Sequence, residues 1–521
     1  MELVSNECSK FTENGRKVFR IFGPPGTGKT TSLLNRVDQA LEDGVPPEKI
    51  AFLAFTRKAA NEARERAAAR FNLDPDKDLF FFRTLHSLAL VMTDIKPSQI
   101  MSDEHYSELE KKIGVQITGR KVSYDDSFEA LSQGSNPIIS LINLARLRKV
   151  TLREQYNHSQ IWESWTTVEY VEKALYEYKK AYTLYDFTDL LEYFIAMSYK
   201  LCPQFELCFL DEAQDLSPMQ WDIAHILDQN STKMYVAGDD DQAIYKWSGA
   251  DVEHFINLPG GSETLSQSYR VPRSIHRLAE DISSKIVRRF PKQYNPKNEE
   301  GKVERIFCTT DVDMSEGTWL ILSQAGYQLQ PIYEELRSAG YLFSFRGRRS
   351  ISEQISIAVN GWEQLRKGKE VTVKTARVIY GYMNSGSRIK RGYKKIPNLD
   401  GSDLINLDTL IDEQGLLATK EMIWSEAMDK IPTTERAYIT ALLRRGEKFN
   451  REPRITASTI HASKGGEADN VVLLTDLSTA AEESLRDDPD SVHRVFYVAV
   501  TRSKKNLFIV EPAVTHRGYY L

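Results

Sequence analysis

The sequence predicts an α/β fold with two regions of parallel β-sheet flanked by helices, each carrying an inserted, mainly helical or mixed subdomain. Short apolar runs that read as buried strands end in polar residues and lead into helix-forming segments over residues 18–90 and 185–260. The same alternation returns after residue 261 and again from Ile455, whereas residues 92–182 are helical and mixed in charge. A chain of 521 residues is also too long for a single hydrophobic core.

The composition indicates an ordinary globular protein, with 41% apolar and 27% charged residues. A formal net charge of −5 favours neither a nucleic-acid nor a membrane partner, but it is compatible with a local basic groove. The four cysteines form no C-x-x-C pair, which argues against a zinc site or a disulfide framework and fits a reducing compartment. They are Cys8, Cys202, Cys208 and Cys308.

The sequence shows no signal peptide at its N-terminus and no membrane span. The N-terminal stretch lacks the apolar segment of a signal peptide, and no run approaches the ~18 apolar residues of a membrane span. We therefore expect a protein of the cytoplasm, or of a host's cytoplasm if it is viral. We also expect a monomer in solution with no membrane partner.

The first predicted strand, residues 18–22, leads into a loop that matches the Walker A consensus G-x-x-x-x-G-K-[ST]. A helix is predicted to follow over residues 31–41. Glycines allow backbone N–H groups to wrap phosphates, and the helix N-terminus attracts their charge. Lys29 is predicted to reach the β- and γ-phosphates and Thr30 to hold Mg²⁺. The alternative is an ordinary glycine-rich turn. The loop consists of Gly23, Pro24, Pro25, Gly26, Thr27, Gly28, Lys29 and Thr30.

Two further strands end in polar side chains. The strand over residues 50–55 is followed by Thr56 and Arg57, and the strand over residues 80–82 runs on to His86. Parallel sheets place ligand contacts at such strand ends, so these three side chains are candidates for binding. The alternatives are a solvated helix start and a structural histidine.

A Walker B element follows the strand over residues 207–210. Two carboxylates at a strand end suit Mg²⁺ chemistry: Asp211 can position the ion, and Glu212 can take a proton from an attacking water. A solvated acidic turn is the alternative. Beyond the next strand, residues 234–237, lies Gln242, whose amide could contact a γ-phosphate.

Tyr245 and Trp247 lie beside Lys246, shortly after Gln242. Aromatic rings next to a cation suit stacking on unpaired bases, although two aromatics are also compatible with a core position. The second α/β region contains no second Walker A sequence, so it cannot be an independent ATPase of this type. It is predicted to face the first region and to supply an arginine to the transferred phosphoryl group, with Arg270 and Arg502 as candidates.

A basic segment runs from about residue 366 to 395. It holds ten Lys and Arg residues against one acid, Glu370, with Tyr380, Tyr382 and Tyr393 between them. This pattern is typical of a nucleic-acid contact or of a solvated loop face.

The order of the motifs resembles that of superfamily 1A DNA helicases of the UvrD/Rep/PcrA type over nearly the whole chain. The resembling stretches are GPPGTGKTT, AFTRKAANEARERA, FRTLHS, YDFTDLL, DEAQD, GDDDQAIYKWSGAD, QSYR, TIHASKGGEADNVVLL and FYVAVTRSKKNL. The resemblance implies two RecA-like P-loop NTPase domains with four subdomains. These are 1A over residues 1–90 and 185–260, 1B over 91–184, 2A over 261–369 and 451–521, and a short 2B over 370–450.

The resemblance also implies roles for individual residues, with ATP and Mg²⁺ as cofactors. Gln242 would couple the γ-phosphate to the DNA site, Tyr269 would stack on adenine, and Glu467 would hold the ribose. The implied catalytic residues are Lys29, Asp211, Glu212, Gln242, Arg270 and Arg502. Nucleotide binding is implied for Gly23–Thr30, Thr31, Tyr269 and Glu467, and metal binding for Thr30 and Asp211. DNA binding is implied for Phe55, Thr56, Arg57, His86, Tyr245, Trp247 and His461.

The implied activity is ATP-dependent 3′→5′ movement on single-stranded DNA with unwinding of duplex DNA, in repair or replication and with a possible loading partner. The alternatives are a subunit of a helicase–nuclease complex and a non-motor, nucleotide-regulated clamp on DNA or protein. Four departures from the family pattern stand out. Residues 1–17 contain no glutamine, Thr31 replaces an adenine-stacking arginine, Ser248 replaces an arginine, and the 2B insertion is short.

Overall fold

The computed structural model describes residues 17–55, 57–118, 136–159, 161–396, 399–449 and 451–521. The chain divides into two compact units. The first extends to Gly301 and includes Glu483–Thr501, and the second comprises Lys302–Glu482 and Arg502–Leu521.

The first unit is built on a six-stranded sheet in the order β3-β2-β4-β5-β1-β6, and all of its neighbouring strands are parallel. The strands are β1 (Lys17–Phe22), β2 (Ile50–Ala54), β3 (Phe82–Thr84), β4 (Phe205–Leu210), β5 (Ser231–Gly238) and β6 (Gly261–Thr264). The predicted α/β class with a parallel sheet is therefore confirmed. The second α/β region was predicted to begin near residue 261. In the structure, β6 pairs with β1 and so belongs to the first sheet.

Helices cover both faces of this sheet, so its strands are apolar on both sides. Ala51 and Leu53 of β2 pack into one hydrophobic cluster, and Ile50, Phe52 and Ala54 pack into the cluster on the other face. The described α-helices of this unit outside its insertion are α1 (Lys29–Glu42), α2 (Arg57–Phe71), α3 (Leu85–Met92), α8 (Phe187–Leu201), α9 (Pro218–Gln229), α10 (Val252–Asn257), α11 (Arg273–Ser284) and α19 (Pro489–Val500).

The predicted helical insertion contains four described helices with a core of their own. They are α4 (Asp103–Ile113), α5 (Pro137–Arg148), α6 (Leu152–Asn157) and α7 (Trp165–Tyr182). The side chains of Asn136, Thr151 and Ser164 accept hydrogen bonds from backbone N–H groups of the first turn and so begin α5, α6 and α7. Val168, Val171 and Leu175 of α7 fill the core of this insertion.

The second unit is built on a seven-stranded sheet in the order β10-β9-β13-β8-β14-β15-β7. Its strands are β7 (Lys302–Ile306), β8 (Trp319–Ser323), β9 (Phe343–Phe345), β10 (Arg348–Arg349), β13 (Ile455–Thr459), β14 (Ala468–Leu474) and β15 (Ser503–Val510). All pairings are parallel except the β9–β10 hairpin. The second predicted parallel sheet is thus also present.

The short insertion of the second unit shares one hydrophobic core with this sheet. It contains a two-stranded sheet of β11 (Val371–Thr372) and β12 (Leu404–Ile405). The remaining helices are α12 (Gln330–Ser338), α13 (Glu353–Arg366), α14 (Val373–Gly381), α15 (Leu407–Asp412), α16 (Trp424–Ala427), α17 (Thr433–Arg445) and α18 (Thr479–Asp487). The division into four subdomains stays a prediction. Across the described ranges, no helix has both the length and the apolar character that a membrane span needs.

Candidate nucleotide and nucleic-acid site

The loop between β1 and α1 is a closed, hydrogen-bonded turn. The Gly23 amide donates to the Gly238 carbonyl at 2.9 Å, and the Thr27 hydroxyl donates to the Pro24 carbonyl at 2.8 Å. Gly26 and Gly28 have φ values of 73° and 79°, which only glycine adopts without strain. The loop therefore turns its backbone into the start of α1, as the Walker A pattern predicts.

Lys29 lies across the mouth of this loop. Its Nζ donates to the Gly23 carbonyl at 3.0 Å and lies 3.7 Å from Glu212 Oε1. A Cβ at Gly23 would fall 1.8 Å from Lys29 Cγ, so the first glycine of the motif is needed to make room for the lysine stem. The ammonium group is thereby held between the loop and the acidic pair.

The two predicted metal ligands lie together. Thr30 Oγ1 donates to Asp211 Oδ2 at 2.8 Å, and Asp211 is fully buried at the end of β4. Burial, followed by the neighbouring charge of Glu212, raises the pKa of Asp211 to about 6. Over the part of the chain that the structure describes, there is no group of three or more His, Cys, Asp or Glu side chains able to hold a metal ion. A hydroxyl with one carboxylate is nonetheless the usual protein share of a Mg²⁺ site completed by phosphates and water.

Glu212 occupies a strained position directly after Asp211. Its φ of 56° lies in the left-handed region, which a non-glycine residue adopts at a cost of about 1–3 kcal/mol. Its Oε2 accepts a hydrogen bond from Gln214 Nε2. The backbone conformation and the hydrogen bond together fix the orientation of this carboxylate.

Gln214 links the acidic pair to the next strand end. While Nε2 donates to Glu212, Gln214 Oε1 accepts from the Asp239 amide at 3.0 Å, and Asp239 Oδ2 accepts from Gln242 Nε2 at 2.6 Å. A Cβ at Gly238 would fall 2.5 Å from Gln214 Oε1, so a glycine is needed there. We call this path from Glu212 to Gln242 the hydrogen-bond relay. Gln214 was not predicted as a site residue. The one feature of the sequence that indicated it is its position as the amide side chain within the DEAQD motif.

The segment around Tyr269 packs on the phosphate loop within the first unit. The Tyr269 amide donates to the Gly26 carbonyl at 2.9 Å, and a Cβ at Gly26 would fall 2.3 Å from Arg270 Cβ. The Tyr269 ring is 76% exposed, and Thr31 is exposed at the start of α1. Arg270 therefore belongs to the first unit and adjoins the phosphate loop there, although it was predicted to come from the second α/β region.

Three aromatic side chains contact one another in a cluster that we call the aromatic platform. Phe55 and Tyr245 are stacked with ring centroids 5.8 Å apart, and Trp247 meets Tyr245 edge-on at 6.1 Å. Trp247 is 39% exposed. Ser248 is buried, and its hydroxyl donates to the Tyr245 carbonyl at 2.7 Å, so it stabilises the turn that carries the platform.

The first unit contains three further residues that were predicted to contact DNA, namely His86, Arg57 and Thr56. His86 is half-buried and meets Phe187 edge-on at 6.4 Å, and burial lowers its pKa to about 4, so it is neutral at pH 7. Arg57 is exposed at the start of α2, and Thr56 lies outside the described residues.

The candidates of the second unit fall at two edges of its sheet. Arg502 and Glu467 precede the paired starts of β15 and β14, and Arg502 Nη1 donates to the Gly466 carbonyl at 3.3 Å. Glu467 forms an ion pair of 2.6 Å with Lys504. His461 follows the end of β13, which lies at the opposite edge because the strands are parallel. The structure thus groups Arg502 with Glu467 and separates His461 from them.

The basic segment divides into buried and exposed parts. The side chains of Arg366, Arg377 and Arg388 donate to backbone carbonyls of neighbouring turns and so hold the insertion together. Tyr380 is fully buried and donates to the Gln414 carbonyl at 3.1 Å, so this ring belongs to the core of the insertion and to neither a nucleic-acid contact nor a solvated face. The exposed basic residues are Lys367, Lys369, Lys374, Lys390, Arg391 and Lys395.

Comparison with known proteins gives two family matches. The family described as UvrD/REP helicase N-terminal domain matches residues 4–260, and the UvrD-like helicase C-terminal domain matches residues 454–510. The ATP-dependent DNA helicase PcrA of Leuconostoc citreum is 27% identical over 312 residues, which is 57% of this chain and 41% of that protein. PcrA of Bacillus subtilis is 25% identical, over 57% of this chain and 41% of that protein.

A third relative aligns over more of both chains. The "Probable DNA helicase II homolog" of Mycoplasma genitalium is 24% identical over 95% of this chain and 83% of that protein. By contrast, the chain spans about two-fifths of the length of the PcrA relatives.

Proposed function

This chain belongs to the UvrD/REP helicase family, and from that premise we propose that it is an ATP-dependent motor that moves along single-stranded DNA and unwinds duplex DNA. One observation carries the proposal. The hydrogen-bond relay joins Glu212, at the phosphate loop, to Gln242, and the same loop continues directly into Tyr245 and Trp247 of the aromatic platform. A change at the nucleotide can therefore be passed to a base-stacking surface by a short, buried path.

In the proposed reaction, the phosphate loop binds the triphosphate and Lys29 neutralises charge on its β- and γ-phosphates. The Thr30 hydroxyl and the Asp211 carboxylate are 2.8 Å apart and offer oxygen ligands, so they fit Mg²⁺. The ion, when bound, supplies electrostatic stabilisation of the transferred phosphoryl group. Glu212 orients the attacking water and accepts its proton.

Arginine side chains are proposed to complete this site. Arg270 adjoins the phosphate loop, and Arg502 is held near the start of β15 by the Gly466 carbonyl. A guanidinium placed against the γ-phosphoryl group stabilises the charge of the transition state. Tyr269, with its exposed ring, is proposed to stack on the base, and Glu467 to bind the ribose.

The aromatic platform is proposed to hold single-stranded DNA. Stacking on an aromatic ring contributes about 1–3 kcal/mol per base and is tolerant of sequence, as a translocating motor requires. His86 is neutral at pH 7, so we assign it hydrogen bonding rather than charge pairing with the strand. Arg57, Thr56 and His461 are proposed as further contacts. Movement in the 3′→5′ direction, as a monomer, is proposed from the family alone.

Strand displacement on tailed duplexes tests the proposal. We expect ATP-dependent release of the labelled strand from a duplex with a 3′ single-stranded tail and no release from one with a 5′ tail. Release from the 5′-tailed substrate alone would overturn the direction. ATP hydrolysis that is indifferent to DNA, without release from either substrate, would favour a nucleotide-regulated clamp instead.

A further inference from the structure

Three consecutive aspartates after β5 are completely buried. Asp239, Asp240 and Asp241, which we call the aspartate triad, are each 0% exposed. A buried carboxylate is costly unless it is paired and hydrogen-bonded, so three in a row require a specific partner. No role in the site described above accounts for all three of them.

Lys292 is that partner for all three. Its side chain is 1% exposed, and Nζ lies 3.3 Å from Asp239 Oδ1, 2.7 Å from Asp240 Oδ1 and 2.7 Å from Asp241 Oδ2. An ammonium group has three N–H donors, so a single lysine can serve one oxygen of each carboxylate. A planar guanidinium has a different donor geometry and would not reproduce this convergence.

Two arginines also contact the triad, one through a carboxylate and one through the backbone. Arg289 donates to both oxygens of Asp241 at 2.9 and 2.6 Å, and Arg494 of α19 donates to the backbone carbonyl of Asp240 at 2.9 Å. Lys292 and Arg289 thus pair with the carboxylates, and Arg494 holds the backbone of the same loop. Asp490, also on α19, accepts from the Val287 amide at 2.9 Å, which fixes the segment that carries Lys292.

The triad is joined to the hydrogen-bond relay through Asp239. One oxygen of this carboxylate faces Lys292, and the other accepts from Gln242 Nε2 at 2.6 Å. Lys292 therefore helps to orient the Asp239 carboxylate, which in turn orients the Gln242 amide. Without the ammonium, the Asp239 carboxylate would lose this partner and turn toward another donor, and the amide would lose its fixed acceptor.

We propose that Lys292 is a positioning residue for Gln242, and that it couples ATP hydrolysis to the loop that bears the aromatic platform. The inference rests on the proposed function, because it assigns Gln242 to the γ-phosphate of a hydrolysed ATP. Lys292 does not contact the nucleotide in this account. It acts through Asp239, which holds the amide, and so should affect turnover rather than nucleotide binding.

The test is a double-mutant cycle on the full chain between Lys292→Met and Gln242→Ala, with Lys200→Met as the matched control. Lys200 is an exposed lysine of the same unit. We expect Lys292→Met to lower kcat for ATP by about 10- to 100-fold, the usual effect of losing an orienting partner, with KM for ATP unchanged. The double variant should turn over no more slowly than Gln242→Ala alone, because both changes remove the same interaction.

Circular dichroism shows whether Lys292→Met folds. If it does not, the variant Lys292→Met/Asp240→Asn, which removes one charge of each sign, takes its place in the same cycle. Equal kcat for folded Lys292→Met and Lys200→Met would overturn the inference. Additive losses in the cycle would also overturn it, since Lys292 would then act independently of Gln242. Failure of the wild-type chain to hydrolyse ATP would instead reject the proposed function.

Discussion

The Thr30 hydroxyl donates a hydrogen bond of 2.8 Å to Asp211 although 181 positions of sequence separate the two residues. One residue belongs to the phosphate loop and the other to the end of β4, and the parallel sheet brings them together. Two oxygens that a magnesium ion would require are therefore assembled in the fold itself. The same arrangement leads to predictions about the nucleotide site.

Lys29→Ala should reduce ATP turnover by at least about 100-fold, as the loss of a transition-state donor typically does. The lysine is held at the mouth of the loop by the Gly23 carbonyl, where alanine would leave no charge in its place. Phosphate release under saturating ATP measures the effect, and Lys49→Ala, an exposed lysine of the same unit, is the control. Near-normal turnover by Lys29→Ala would remove the phosphate loop from the mechanism.

Thr30→Ala should raise the Mg²⁺ concentration that gives half-maximal turnover by about 10- to 100-fold. The variant loses one of the two oxygen ligands while Asp211 stays buried in place. A titration of phosphate release against Mg²⁺ at fixed ATP gives the midpoint for each protein. The assignment of Thr30 fails if the two midpoints coincide.

Trp247→Ala should weaken single-stranded DNA binding by about 5- to 150-fold, which corresponds to about 1–3 kcal/mol for one lost base stack. Trp247 is 39% exposed and meets Tyr245 edge-on, so part of its surface is available to a base. Trp162, which is 99% exposed, provides the matched control in Trp162→Ala. Fluorescence anisotropy of a labelled oligonucleotide at one fixed salt concentration measures both, because salt alone changes such affinities. Equal affinities of the two variants would contradict the aromatic platform.

His86 should make the first unit less stable as the pH falls below 7. Its pKa is lowered from 6.5 to about 4, so the unfolded chain binds the proton more readily than the folded one. The penalty is absent above pH 6.5 and fully developed below about pH 4, and by pH 5 it amounts to about 2 kcal/mol. Urea denaturation at pH 7 and pH 5 should therefore show a larger loss for wild type than for His86→Gln. Parallel losses in the two proteins would refute the lowered pKa.

The local parts of the site follow from the sequence. Glycine conformations and the polarity of strand ends are set by near neighbours, so the phosphate loop and Asp211 were predicted correctly as a strand–loop–helix element and a strand-end acid. The start of the second region was not, because β6 reads as a new strand while its pairing with β1 depends on a distant partner. The order of the strands along the chain does not determine which sheet each strand joins.

The buried polar network could not be predicted. Lys292 follows two arginines, and in the sequence it reads as one more solvated cation, whereas three aspartates some fifty positions earlier enclose it. The burial of Tyr380 could not be predicted for a related reason. It lies among basic residues, but it shares the apolar face of α14 with Val373, Ala376 and Ile379 and so packs into the core. Ion pairs between distant residues become evident only in the folded structure. The same holds for an apolar helix face whose residues alternate with basic residues in the sequence.

The most direct test of the central claim is steady-state ATP hydrolysis with and without single-stranded DNA. A motor whose nucleotide site is joined to the aromatic platform by the hydrogen-bond relay should show turnover that rises saturably with added DNA. Lys29→Ala should show none, and Trp247→Ala should need more DNA to reach the same rate. Turnover that is identical with and without DNA would contradict the account.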